Sequence, residues 1–233
     1  MSITALKNRV TRKQALPDAL VPVKLNRNER SRAHMLASLL LDYPTEEWFA
    51  RLDVLEREAS TLPTPIADPL RTFIAEARAA GIDTWQKQYV VTFDMKRKCS
   101  LYLTYFATGD TRKRGTALVT FIEAYRAAGW EVDADELSDY LPMVLEFSAV
   151  SEDPISEALL ASHLEGIEVL RAALEGMNSP WAQVVRTITL SLPPVDRKTR
   201  ERVLALVTEG PPTETVGLSF LGNLPPFKSR EES

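Results

Sequence analysis

The chain has 233 residues, 45% of them hydrophobic, and a formal net charge of −4. That length holds one large domain or two small ones with a sizeable buried core, and the acidic balance counts against a general nucleic-acid binder. A single cysteine, Cys99, excludes an internal disulfide and fits a reducing compartment. With no apolar leader core and no run approaching the ~20 apolar residues of a membrane span, a cytoplasmic protein without membrane insertion is expected.

Residues 1–31 are rich in Lys and Arg, lack a sustained period and contain Pro17 and Pro22; they read as a basic, flexible arm. Helical spacing begins with Met35, Leu36, Leu39, Leu40 and Tyr43 and stops at Pro44. Thr45 reads as an N-cap, followed by Glu46 and Glu47 and an apolar face of Trp48, Leu52 and Leu55. Pro69, Phe73, Ile74 and Ala77 predict a helix closed by Gly81. The short apolar run Tyr89–Phe93 is ambiguous between strand and helix. Leu101, Tyr102, Tyr105 and Phe106 predict one further helix, and Leu118, Phe121, Ile122 and Tyr125 another that runs to Gly129. The same spacing continues through Leu137, Tyr140, Leu141, Val144, Leu145 and Ser148. Pro154 opens a long helix, and residues 181–190 and 201–207 form the last two. Residues 209–233 hold four prolines and three glycines and read as a tail. The expectation is an all-α, single-domain bundle of about eight to ten helices over residues 32–208.

The usual catalytic and cofactor patterns are missing. His34 and His163 lie far apart, and the sequence holds no CxxC, HExxH, GxGxxG, phosphate loop or nucleophile elbow. His163 reads as structural and Cys99 as an inert thiol, so no metal, no cofactor and no enzyme are expected.

Charge placement is more informative. From Ala127 to Leu170 the chain has eleven acids and no Lys or Arg. Such a block repels itself unless cations stand opposite. It is either a solvated acidic face or, since it also carries apolar periodicity, the rim of an apolar groove suited to a basic amphipathic peptide. Inside it, Pro142 is tolerated if Asp139 caps the helix, because a proline in the first turn loses no intrahelical bond. Glu146 then stands between Leu145 and Phe147, where it could meet a partner's arginine or Arg97. Upstream, Arg112, Lys113 and Arg114 fall in the first turn of a helix, the wrong end for cations. Acids such as Asp110 or those at 131–139 are expected to compensate, and Gly115 would let another backbone approach.

The runs "YVVTFDMKRKCSLYLTYFATGDTRKRGTALVTFIEAYRAAGWE" and "ELSDYLPMVLEF" resemble the nitrate reductase delta-subunit family, the molybdenum cofactor assembly chaperones of the TorD-like redox-enzyme maturation superfamily. The resemblance extends from about Arg32 to the "PPTETV" at 211–216. Asp94 and Arg97 match one motif; Gly109, Asp110, Thr111, Arg112, Arg114 and Gly115 match the interhelical motif; Tyr140, Leu141, Pro142, Leu145, Glu146 and Phe147 match the second. Ser138 departs from a proline common in the family. The resemblance implies a cytoplasmic chaperone that binds the N-terminal segment of the apo catalytic subunit of respiratory nitrate reductase before molybdenum cofactor and iron–sulfur insertion. It also implies contact with cofactor biosynthesis proteins. Asp139 and the second-motif residues are the peptide-binding candidates. A chaperone for another molybdoenzyme, or a helical nucleic-acid binder using the basic arm, are the alternatives.

Overall fold

The computed structural model describes residues 20–109, 111–132 and 136–192. Among these the elements are α1 (Arg27–Leu41), α2 (Glu46–Ala50), α3 (Leu52–Ala59), α4 (Thr64–Ala80) and α5 (Ile82–Tyr89), then α6 (Leu103–Thr108), α7 (Lys113–Ala127), α8 (Leu141–Val150), α9 (Pro154–Ser162), α10 (Leu164–Gly176) and α11 (Trp181–Ser191). A π-helical turn (Val90–Asp94) and a 3-10 turn (Arg97–Cys99) link α5 to α6. The all-α expectation holds. Among the described residues the helix count exceeds eight to ten because α2 is separate from α3, α5 fills a stretch for which the spacing predicts no helix, and the long helix after Pro154 breaks at His163 into α9 and α10.

Local chemistry sets most boundaries. Asn26 and Glu29 form a reciprocal capping box, so α1 starts at Arg27, inside the stretch expected to be a flexible arm. Leu25 is buried and the Val23 N–H bonds the Leu190 carbonyl at 2.8 Å, so residues 23–31 belong to the folded body. Thr45 caps α2 through the Trp48 N–H, as its position predicts. Gly81 ends α4 at φ 75°, a conformation that favours glycine. α4 begins at Thr64 rather than Pro69, because the apolar face reaches back to the buried Ile66 and Ala67, and that burial outweighs the bond Pro69 removes. Residues 201–207 and the tail lie outside the described residues.

The core forms where α1 packs on α8 and α11, and where α11 packs on α4 and α10. Its aromatic centre is Phe73, Trp85 and Trp181, with ring centroids 4.7–5.7 Å apart. The π-turn extends this cluster. The Met95 N–H bonds the Val90 carbonyl five residues back, and the added residue lets both Tyr89 and Phe93 reach Trp181, at 5.7 and 5.5 Å. The Tyr89–Phe93 run is therefore neither strand nor regular helix.

Candidate functional site

α6 is a six-residue helix with no capping side chain of its own. Leu101 and Tyr102, expected within that helix, instead precede it, Tyr102 with an extended backbone. Tyr102 pairs with Tyr140 in an isolated antiparallel bridge; the Leu141 N–H bonds the Leu101 carbonyl at 2.7 Å, and the Leu103 N–H bonds the Asp139 carbonyl at 3.0 Å. Asp139 is fully buried. Its Oδ2 accepts from the Thr104 N–H at 3.0 Å and the Thr104 hydroxyl at 2.6 Å. Asp139 thus caps α6 from a distant part of the chain and not α8, which starts one residue later with Tyr140 at its cap. The orphan N–H groups of α6 are as costly to bury as those of α8, and only α6 lies within reach of this carboxylate. The strap around residue 139 is also held to α7: the Tyr125 hydroxyl donates to the Ser138 carbonyl at 3.0 Å and the Ser138 hydroxyl to the Leu118 carbonyl at 3.1 Å.

This clamp closes one wall of a concavity of about 360 Å³, into which the three motif segments converge. Asp94, Lys96 and Arg97 contribute from the turns after α5, Tyr102 and Tyr105 from the start of α6, Arg114 from the first turn of α7, and Glu136 and Tyr140 from the strap. The Tyr102 hydroxyl donates to Glu136 Oε1 at 2.9 Å, and the Arg114 guanidinium lies over the Tyr102 ring, 5.3 Å from its centroid. Arg97 Nε donates to the Tyr105 hydroxyl at 2.7 Å. Across the pocket, the Tyr89 hydroxyl reaches the Leu41 carbonyl at 3.0 Å. Burial and, after it, the bonded Glu136 carboxylate push Tyr102 up to about 12. Burial, with Asp42, Glu136 and Asp94 nearby, raises Tyr140 to about 12, although its bond to Tyr89 opposes the shift. The phenols are therefore protonated at neutral pH. Beside the pocket, partial burial and then the Glu146 charge raise Asp42 to about 6, while its side chain keeps an exposed face.

The pocket is thus built of aromatic faces with carboxylates at Asp94 and Glu136 and cations at Lys96, Arg97 and Arg114. Of the seven second-motif candidates, Leu141, Pro142, Leu145, Phe147 and Asp139 are buried; Tyr140 is half-buried on the pocket wall and Glu146 is exposed. Pro142 accepts the Ser38 hydroxyl through its carbonyl at 2.7 Å, and Phe147 packs edge-on against Tyr125 at 4.6 Å. Among the interhelical-motif residues, Gly109 ends α6 at φ 57° with its N–H on the Tyr105 carbonyl, Arg112 stands exposed at the α7 cap, and Asp110 lies outside the described residues. Space is open around Gly115, so it serves no close backbone approach; the tight glycine is Gly166, where an added Cβ would sit 3.0 Å from the Phe106 side chain.

The acidic block divides. Glu157 pairs with Arg30 at 2.7 Å, and Glu168 with the buried Arg171 at 2.7 Å, whereas Glu136 stays exposed at the pocket and Glu146 stays exposed on α8. Asp42 escaped sequence reasoning because it comes from the end of α1, far from both motifs in sequence; Tyr89 opens the first motif run, but the apolar spacing there did not show that its hydroxyl lines a pocket. His163 is structural, as expected: its Nδ1 lies 2.9 Å from the Leu159 carbonyl and its ring stacks on Phe121. Burial pushes the Cys99 thiol up to about 11, more than Lys96 lowers it, so the thiol is unreactive. Among the described residues there is no metal-ligating cluster, and no helix is long and apolar enough to cross a membrane.

An all-α bundle whose motif segments meet at one polar–aromatic pocket defines a class of binding domain, and comparison supplies the family. The nitrate reductase delta subunit family model matches residues 59–186, so the chain belongs to that family. It is 30% identical over 169 residues to the "Probable nitrate reductase molybdenum cofactor assembly chaperone NarJ" of Bacillus subtilis, covering 72% of this chain and 92% of that protein. It is 33% identical over 153 residues to the nitrate reductase molybdenum cofactor assembly chaperone NarJ of Escherichia coli K12, covering 64% of each. The nitrate reductase-like protein NarX of Mycobacterium tuberculosis H37Rv is 35% identical over 152 residues, 65% of this chain and 23% of that much longer protein.

Proposed function

We propose that this protein is a cytoplasmic maturation chaperone, a binding protein rather than a catalyst. It holds the apo catalytic subunit of respiratory nitrate reductase through that subunit's N-terminal segment until the molybdenum cofactor and iron–sulfur centres are inserted. Cofactor biosynthesis proteins are its further partners at that stage. The observation that carries this reading is the convergence of the motif segments on one concavity, with Tyr102 and Tyr140 at its wall and Glu136 exposed at its edge. Such a surface offers aromatic faces and the Asp94 and Glu136 carboxylates to the cations of an amphipathic helix, while Lys96, Arg97 and Arg114 beside them restrict where along the helix those cations sit. Binding falls to the exposed groups, so Tyr140 and Glu146 are the contact residues. Leu141, Pro142, Leu145, Phe147 and Asp139 hold the wall behind them.

The test is calorimetric titration of the full chain with a synthetic peptide of the cognate catalytic subunit's N-terminal segment. Saturable binding that falls with Tyr140→Ala supports the reading. No saturable binding at neutral or mildly acidic pH removes it.

A further inference from the structure

α8 packs chiefly against α1 and α9, and its remaining face is open. Tyr140, Met143 and Val150 follow one another at helical spacing on that face. Trp130, from the turn after α7, leans edge-on against Phe147 between them, with ring centroids 6.4 Å apart. Trp130 and Val150 are 43% and 41% exposed, while Tyr140 and Met143 are half-buried. The result is an apolar strip ~15 Å long, running from the pocket wall at Tyr140 to the C-terminal end of α8. Glu131 beside Trp130, Glu146 on α8 and Glu152 just past its end are exposed, and among the described residues none of the three joins an ion pair. Such a strip suits a covering segment that is apolar on one side and cationic at its flanks.

The chain carries a segment of that chemistry in residues 2–13. Between residues 1 and 19 stand Lys7, Arg9, Arg12 and Lys13, against the single acid Asp18. Ile3, Leu6 and Val10 fall three and four residues apart, two turns of a helical period, and on the same period Lys7 and Lys13 flank that face. Read as a helix, residues 3–13 match the strip in length, ~15 Å. The chain also enters at the right end. Arg27, in the first turn of α1, donates to the Ser151 carbonyl at 3.1 Å, whereas Ser38, nearer the other end, donates to the Pro142 carbonyl at 2.7 Å. α1 therefore runs antiparallel to α8, and the residues before it start beside Val150. Leu20, the first described residue, is seven steps from Arg27 and so within ~25 Å of that anchor, and the seven steps from Leu20 back to Lys13 span the same distance when extended.

We infer that residues 2–13 dock on the open face of α8 in the same chain, and that a basic segment of a client protein has to displace them. Ile3, Leu6 and Val10 cover Met143, Trp130 and Val150, and the cations of the arm meet Glu131, Glu146 and Glu152. Tethering gives the arm a local concentration on the order of millimolar, so a contact that is weak between separate molecules suffices to hold it. The internal contact stands on the strip and the arm alone; the displacement rests on the function proposed above. The arm then covers the acidic, apolar face until a better-fitting segment arrives.

The probe is a fluorescein-labelled synthetic peptide of residues 2–14, titrated by fluorescence polarisation into the full chain and into a full-length variant carrying Lys7→Gln, Arg9→Gln, Arg12→Gln and Lys13→Gln together. The variant should bind the peptide saturably and about threefold or more tighter than the wild type, whose own arm competes, and the binding should weaken as salt rises. Val150→Asp and Glu146→Gln, both at exposed positions, should each weaken it about threefold in the variant background. Equal binding by wild type and variant, no saturable binding to the variant, or no effect of Val150→Asp overturns the inference. Self-association of the wild type that the four substitutions dissolve assigns the arm to a second copy's strip and overturns the internal contact. Repeating the comparison with the catalytic subunit's N-terminal peptide separates the two proposals. Equal client affinity in wild type and variant overturns the displacement and leaves the chaperone reading intact; an arm peptide that binds the variant where no client peptide does supports the internal contact and removes that reading.

Discussion

His34 makes the folded chain sensitive to mild acid, and the size of the effect follows from its surroundings. The ring is 1% exposed at the junction of α1, α8 and α11, with Nδ1 2.9 Å from the Ser148 hydroxyl and Nε2 2.8 Å from the Ser191 hydroxyl. Burial, and after it the Arg30 charge, lower its pKa from 6.5 to about 3. The folded state therefore keeps the ring neutral at pH values where the unfolded chain already binds a proton. Stability from this group is complete above the unfolded pKa and is lost as pH falls towards the folded one. Between pH 7.5 and pH 5.0 the loss is about 2 kcal/mol by proton linkage. Asp42, with its raised pKa, acts in the opposite direction over the same range, so the wild-type slope alone is not diagnostic. The comparison is with His34→Gln, which keeps polar atoms for both serines but does not titrate. Urea unfolding at the two pH values should show the wild type losing about 2 kcal/mol more than the variant over that interval. Equal losses would mean that His34 is not held neutral, and would refute the linkage.

Three further outcomes are expected. Asp139→Ala should destabilise the chain by about 1–3 kcal/mol in urea melts, because it strips both Thr104 bonds; Asp139→Asn, which retains an acceptor, should cost less, and an equal cost would count against the cap. Gly166→Ala should cost about 1–3 kcal/mol by overpacking against Phe106, and Phe106→Leu in the same chain should recover part of it. Glu146→Gln should weaken peptide binding roughly twofold to fivefold, more than Glu157→Gln, whose partner is the internal Arg30; equal effects in calorimetry would mean the groove lies elsewhere.

Much of the bundle was legible because it depends on local rules. The α2 cap at Thr45, the stop at Gly81 and the periods of α1, α7, α8 and α11 follow from side chains within a turn or two of one another. The failures share one cause. Apolar spacing around residues 101–106 suited a helix, yet the chain there pairs with the 139–141 strap before α6 begins. Asp139 stands where a local cap would, but its carboxylate serves a helix thirty-five residues earlier. The break at His163 is invisible in the hydrophobic pattern because α9 and α10 each continue it.

The sequence alone therefore determined the class of fold, the motif segments and the one-sided charge of residues 127–170. These depend on near-neighbour chemistry and on composition. Only the tertiary structure decided which motif residues are accessible. It sank Leu141, Leu145, Phe147 and Asp139 into the core and left Tyr140 and Glu146 at the surface. It put Tyr89 on the pocket wall and brought Asp42, from the end of α1, close enough to act on Tyr140. It also spent part of the acidic block internally, on Arg30 and Arg171. The physical reason is that burial and long-range pairing are properties of packed surfaces. A helical period tells which residues share a face, and only the neighbouring helices decide what that face meets.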